Sequence, residues 1–215
     1  MRTADFDYRL PAELIAQTPV EPRDSSRLLR VDRSTGMLSH HHFRDLPHLL
    51  RPGDLLVHNE SRVIPARLFA CKPTGGQVEV LLLRPRSEQV WEALVRGRAV
   101  RVGARLGFLS GPAGEPVGAA AEVLEAGERG LRVLAFERPA LALAEAVGQT
   151  PLPPYIHQPL RDPERYQTVY ARAPGSAAAP TAGLHFTPDL LHLSLIHISE
   201  PTRLLSISYA VFCLK

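Results

Sequence analysis

Apolar residues alternate with polar ones over RLLRV and again over LSHHHF, with Ser34-Thr35-Gly36 between them, a pattern that predicts two strands joined by a tight turn. Upstream, Pro11 in DYRLPAELIA predicts a short helical turn. Downstream, HFRDLPHLLRPGDLLVHNES predicts a short helix, a turn at Arg51-Pro52-Gly53-Asp54 and a buried strand at Leu55 to Val57, running out into His58-Asn59-Glu60-Ser61-Arg62. Polar residues crowded past the carboxyl end of a buried strand are where open α/β sheets hold ligands, although a hydrophilic turn has the same look.

From about residue 67 to 149 the texture changes. GGQVEVLLLRP, VWEALVRG, AVRVGARLGFL, AAAEVLEA and GLRVLAF are strand-like runs broken by Gly- or Pro-containing turns about every ten residues. That spacing predicts a small antiparallel barrel, inserted into flanking α/β sequence and closed off by Gly148 and the stiff PLPP at 151 to 154. After it, DPERYQTVYA predicts a helix with Asp162 as N-cap and Pro163 at its first position, which would set Tyr166 and Tyr170 on one face.

A second helix is predicted from SAAAPTAGLHFTPDLL. Thr187 is a good N-cap, Pro188 suits the first helical position and Asp189 complements the dipole. The small residues before it, Gly183 among them, let backbone approach a ligand, while His185 and Phe186 arrive where free amide N–H groups gather. The expected organisation is therefore an α/β main domain over 1–66 and 150–191, with a β-barrel domain inserted at 67–149, α+β overall.

The last 24 residues stand apart: Ile196, Ile198 and Ile207 crowd a tail without glycine, whereas the rest of the chain has three isoleucines and all 15 glycines. Residues 192–215 read as a non-native appendage.

At 215 residues, 45% hydrophobic and 22% charged, the composition is that of a globular protein. No apolar run is long enough to span a bilayer and MRTADFDYRL lacks a secretory core, so a cytoplasmic protein without a membrane partner is expected. Cys71 and Cys213 form no Cys-x-x-Cys pair, which fits a reducing compartment. A net charge of +3 and a pI near 9.1, carried by arginine with only Lys72 and Lys215 beside it, permit a polyanionic partner.

Walker A, G-x-G-x-x-G, H-E-x-x-H and G-x-S-x-G motifs are absent, leaving nucleotide hydrolysis, dinucleotide redox chemistry and serine hydrolysis without support. His40, His41, His42 and His48 suggest a metal, but strand alternation turns His41 away and no carboxylate or cysteine joins them; no metal is expected.

DFDYRLPAELIAQTPVEPRDSSRLL, RPGDLLVHNESRVIPARLFACKPTGGQVEVLLL, PLPPYI and RYQTVYARAPGSAAAPTAGLHFTPDLL resemble, in order, the S-adenosylmethionine:tRNA ribosyltransferase-isomerases of queuosine biosynthesis. The resemblance implies an α/β domain with an inserted barrel. It also implies transfer and isomerisation of the ribosyl group of S-adenosylmethionine onto 7-aminomethyl-7-deazaguanine at the tRNA wobble position, giving epoxyqueuosine with loss of adenine and methionine. Such an enzyme needs a base for the acidified C5′ proton, a rest for the sulfonium and donors for the methionyl carboxylate.

On this resemblance His185 and Glu60 are the candidate catalytic residues. Asn59, Ser61, Arg62, Arg67, Tyr166, Tyr170, Thr181, Gly183, Phe186 and Thr187 are the candidate substrate-binding ones, with Arg98 and Arg101 as further phosphate contacts. The family usually reads Asp and Thr where this chain has Glu60 and Ser61, which weakens Glu60 as the base. The partner is the tRNA anticodon loop and the enzyme a monomer. The family continues past the helix at Pro188, so the resemblance also implies a shortened copy, inactive or poorly soluble by itself. The rival readings are a non-catalytic RNA-binding module and an S-adenosylmethionine-dependent RNA methyltransferase; 6% aromatic content argues against the first, and the lack of a Gly-rich turn after the first strand against the second.

Overall fold

The computed structural model describes residues 2–197. Strands β1 (Arg27–Val31) and β2 (Leu38–His42) form an antiparallel hairpin, its turn held by Asp32, whose carboxylate accepts from the Ser34 and Thr35 amides at 3.0 and 3.1 Å. His41 indeed lies on the opposite face from His40 and His42. Helix α1 (Leu46–Leu49) is a single turn, and β3 (Ser61–Val63) follows.

The six barrel strands are β4 (Arg67–Cys71), β5 (Gln77–Pro85), β6 (Val90–Arg96), β7 (Arg105–Leu109), β8 (Pro116–Ala126) and β9 (Leu131–Phe136). They close in the order β4-β5-β6-β9-β8-β7, every pairing antiparallel. Alternation sends Leu68, Val80, Leu82, Leu106, Phe108, Val123 and Leu134 inside, all fully buried, and Phe108 stacks on Phe136 at 5.4 Å. Burying each such side chain contributes about 2 kcal/mol to the barrel.

The pattern gave no sign of α2 (Ala140–Val147), which buries Ala140, Leu143 and Ala144 against one end of the barrel. The chain enters and leaves the barrel at one point: Arg67 and Gln149 exchange backbone hydrogen bonds at 3.1 and 2.8 Å. Gly148 is required there because a Cβ would overlap the Pro65 carbonyl oxygen. This is the insertion expected from the texture.

Beyond the junction, β10 (Ala173–Ser176) pairs in parallel with β3, and α3 (Pro188–His197) completes the described chain. Thr187 caps α3 as expected, its hydroxyl accepting from the Leu190 amide at 3.1 Å. Phe43, Tyr170, Phe186 and Leu190 form a second core, flanked by Leu28, Leu46, Leu56 and Leu191.

Two expectations are corrected. Residues 55–57 are not a buried strand: Leu56 makes a single bridge and Leu55 is 53% exposed. The run is too short to build a ladder before the turn at Asn59, whose Oδ1 accepts from the Ser61 amide at 2.8 Å. Asp162 does cap the next segment, accepting from the Glu164 amide at 3.0 Å, but it starts only a 3-10 turn, Pro163–Tyr166. The chain is extended again by Gln167, so Tyr166 and Tyr170 do not share a helical face. Of residues 192–215, the first six continue α3, and 198–215 lie outside the described residues.

Candidate functional site

Three segments remote in sequence are tied together by side chains that satisfy backbone groups. The Gln167 amide acts as an extra strand neighbour for Val63: it accepts from the Val63 N–H at 2.9 Å and donates to the Val63 carbonyl at 2.8 Å. Arg23, from a 3-10 turn at Arg23–Ser25, donates to the carbonyls of Gln167 at 2.6 Å, Glu164 at 3.0 Å and Leu184 at 3.4 Å. One guanidinium thereby fixes the loop before β10 against the loop before α3.

Inside this frame sits an aromatic cluster. Tyr170 meets His58 edge-on, with ring centroids 4.4 Å apart, and lies 6.3 Å from Phe186. Phe43 contacts Phe186 at 5.0 Å and His185 at 5.2 Å. Among these apolar faces, His58 Nδ1, Thr168 Oγ1 and the Tyr170 hydroxyl are buried without a hydrogen-bond partner among the described residues. Buried polar groups are normally paired, so a cluster of three marks a place built for polar atoms of something else. Gly183 lies beside it: a Cβ there would meet the Tyr170 hydroxyl and come within 3.0 Å of Thr168 Cγ2.

Burial pushes the Tyr170 phenol up to about 12, so it stays a donor at neutral pH. His58 is held below the ordinary imidazole value by burial, with Arg172 adding to the effect and Glu60 opposing it. His185 is lowered by burial, against a hydrogen bond with the Arg23 backbone and assisted by the Arg165 charge. Both imidazoles are neutral near pH 7 and free to accept a proton.

The sequence-predicted residues fall into two groups. Tyr170, Gly183, His185 and Phe186 surround the aromatic cluster, with Thr181 opening the 3-10 turn Thr181–His185 and Thr187 capping α3. Arg62 and Arg67 instead line a cleft of about 840 Å³ at the barrel junction, together with Gln149, Gln158, Glu164 and Gln167. Neither arginine is free: Arg62 pairs with Glu164, and Arg67 lies 3.2 Å from Glu79. Glu60 lies between the groups, its carbonyl accepting from the Arg172 amide at 2.8 Å and its carboxylate 3.8 Å from Arg172 Nε. Asn59 Oδ1 is spent on the Ser61 amide, and Tyr166 is buried with its phenol raised by desolvation.

Sequence reasoning missed His58, Thr168, Gln167, Arg23 and Phe43. His58 heads the polar HNESR run and was within reach of that signal; the others carry none, because their roles depend on partners up to 161 residues away. Among the described residues no three His, Cys, Asp or Glu side chains gather as a metal site, and no helix is long and apolar enough to cross a membrane.

Comparison with known proteins extends over this whole frame. A protein from Symbiobacterium thermophilum named S-adenosylmethionine:tRNA ribosyltransferase-isomerase is 54% identical over 197 residues, covering 89% of this chain and 55% of its own length. One of the same name from Thermus thermophilus is 57% identical over 189 residues, 86% of this chain and 54% of its own. The crystal structure of an S-adenosylmethionine tRNA ribosyltransferase from Thermotoga maritima is 37% identical, with a TM-score of 0.39 over 90% of this chain and 54% of that one. The chain thus spans about 55% of the length of the curated relatives it matches. The family model described as "Queuosine biosynthesis protein" matches residues 3–197, which takes in the barrel, the junction and every candidate site residue, and the chain belongs to that family.

Proposed function

We propose that this chain carries the donor-binding part of an enzyme that moves the ribosyl group of S-adenosylmethionine onto 7-aminomethyl-7-deazaguanine in the tRNA anticodon loop and isomerises it to epoxyqueuosine. Adenine and methionine are released. The observation that carries the reading is the identity of 54–57% over 189–197 residues to proteins so named, together with a family match over residues 3–197 that includes the aromatic cluster.

The cluster suits the donor. Tyr170 and Phe186 offer ring faces to a sulfonium, the His58, Thr168 and Tyr170 polar atoms offer hydrogen bonds to a ribose or base, and the Asp189 amide at the start of α3 offers a donor to the methionyl carboxylate. His185, neutral and half-buried, is the base for the C5′ proton. Arg62 and Arg67, at the mouth of the cleft, face the RNA. The reaction belongs to the cytoplasm, and the enzyme acts as a monomer without a metal.

The test incubates the 215-residue chain, and the same chain joined at Leu191 to the remainder of the Thermus thermophilus relative, with S-adenosylmethionine and tRNA bearing the aminomethyl base. The joined protein is expected to release adenine in step with ribosylated tRNA, and the chain alone to release none. Methylated RNA without adenine, or no consumption of donor by the joined protein, overturns the reading.

A further inference from the structure

The barrel is polarised along its axis. At the end away from the junction three loops meet, spanning 72–76 between β4 and β5, 97–104 between β6 and β7, and 127–130 between β8 and β9. They are stitched to one another: Lys72 Nζ donates to the Arg98 carbonyl at 2.8 Å, and Arg132 donates to the carbonyls of Val100 at 3.0 Å and Gly127 at 3.1 Å. These loops and the strand ends beside them carry Lys72, Arg96, Arg98, Arg101, Arg129 and Arg132, while the loops themselves hold one carboxylate, Glu128. On the strands, Glu79 pairs with Arg67 and Glu125 with Arg86, and Arg105 reaches across to Glu137 of the other end. Among the described residues the six rim cations are in no ion pair. Arg96, Arg98, Arg101 and Arg129 are exposed, and Ala99 and Arg129 hold positive φ values of 54° and 51°, so the rim has a defined and partly strained shape.

The opposite end is mixed and slightly acidic. Glu88, Glu115, Glu137 and Glu145 lie in its loops and helix beside Arg86 and Arg138. A chain rich in arginine through composition alone would not leave its two ends so different.

We propose that the distal rim of the barrel is a second RNA contact, which grips phosphates of the tRNA stem while the junction holds the anticodon loop. This rests on the function proposed above. Guanidinium forks match phosphate oxygens, and loops 72–76, 97–104 and 127–130 contain no aromatic residue, so the rim has nothing to stack on bases. It positions RNA without reading sequence. The five residues of β4 set the rim on the order of 15 Å from the junction at Arg67, enough to reach several base pairs beyond the loop.

The experiment measures tRNA binding to the 215-residue chain across a salt series, for the parent, for a variant with Arg96→Gln, Arg98→Gln, Arg101→Gln and Arg129→Gln, and for the corresponding four-lysine variant. Far-ultraviolet circular dichroism confirms the barrel in each. The glutamine variant is expected to bind roughly tenfold or more weakly at about 0.1 M salt, with a log K against log salt slope shallower by up to about four, one for each phosphate no longer neutralised. The lysine variant is expected to stay within about threefold of the parent because the charge remains. Unchanged affinity and slope in the glutamine variant, equal losses in both variants, or a parent that does not bind tRNA each overturn the rim. Failure of the function shows differently: tRNA binds with the predicted salt slope, yet the joined protein releases no adenine.

Discussion

The Tyr170 hydroxyl lies so close over the Cα of Gly183 that a methyl group on that carbon would overlap it. Glycine is demanded here by space, since two loops cross at this point. Gly183→Ala is therefore expected to cost about 1–3 kcal/mol by overpacking. Adding Tyr170→Phe removes the overlapping oxygen, which has no partner among the described residues, and is expected to return part of that loss. Thermal unfolding of the single and double variants checks it; a double variant less stable than Gly183→Ala would contradict the geometry.

Gln167 and Val63 make a sharper test. A single carboxamide serves both backbone groups of Val63, one as acceptor and one as donor. Gln167→Leu leaves both unserved and is expected to cost about 1–3 kcal/mol for each group that water cannot reach. Gln167→Glu keeps the acceptor and sets a charged oxygen against the Val63 carbonyl. Relative to the parent it is expected to be unstable at pH 7 and to recover as acid protonates the new side chain, restoring a donor. Denaturant titrations at two pH values resolve this.

How far the chain announces this structure depends on the range of the interaction. The hairpin at Ser34-Thr35-Gly36, the capped start at Thr187-Pro188 and the barrel strands follow from periods and turn residues within a dozen positions, and all are present. Helix α2 escaped notice because ALALAEAV is apolar nearly all round and looks like one more buried strand. Tyr166 and Tyr170 misled because a good cap predicts where a helix begins and says nothing of where it ends; here Gln167 leaves after one turn to reach Val63. For the candidate site, the placing of Gly183, His185 and Phe186 just before a helix start follows from local chemistry. Arg23 and Thr168 were not, since what makes them matter lies across the fold and leaves no spacing to read.

Acid should loosen the main part of the molecule before the barrel. His58 and His185 both have folded-state values below the ordinary 6.5, chiefly from burial, so the unfolded chain takes up protons more readily than the folded one. Stability is then unaffected above about pH 6.5, falls as the pH drops through that value, and levels once the pH is below the depressed folded values. The barrel core contains no histidine. Hydrogen exchange at pH 7.5 and 5.5, corrected for the slower intrinsic exchange at the lower pH, is expected to show reduced protection around residues 56–63 and 168–190 at pH 5.5, with protection of β5 and β6 unchanged. A His58→Phe, His185→Phe variant should lose that dependence.

The last prediction separates the two candidate bases. The Glu60 carboxylate lies 3.8 Å from Arg172 Nε, and its backbone carbonyl accepts from the Arg172 amide, so both ends of the residue are turned to the chain leading into β10. The His185 ring rests on Phe43, half-buried and neutral near pH 7, on the loop that Gly183 brings under Tyr170. In the joined protein, His185→Ala is expected to slow adenine release by about 10²–10⁴-fold with little change in KM for the donor. Glu60→Gln is expected to cost less than about tenfold, because it removes a neighbouring charge and leaves the proton acceptor in place. With the imidazole as base, activity rises with pH through an acid limb whose midpoint lies below 6.5, and that limb is lost in His185→Ala. A carboxylate base would reverse the two rate effects, and the acid limb would then vanish in Glu60→Gln instead.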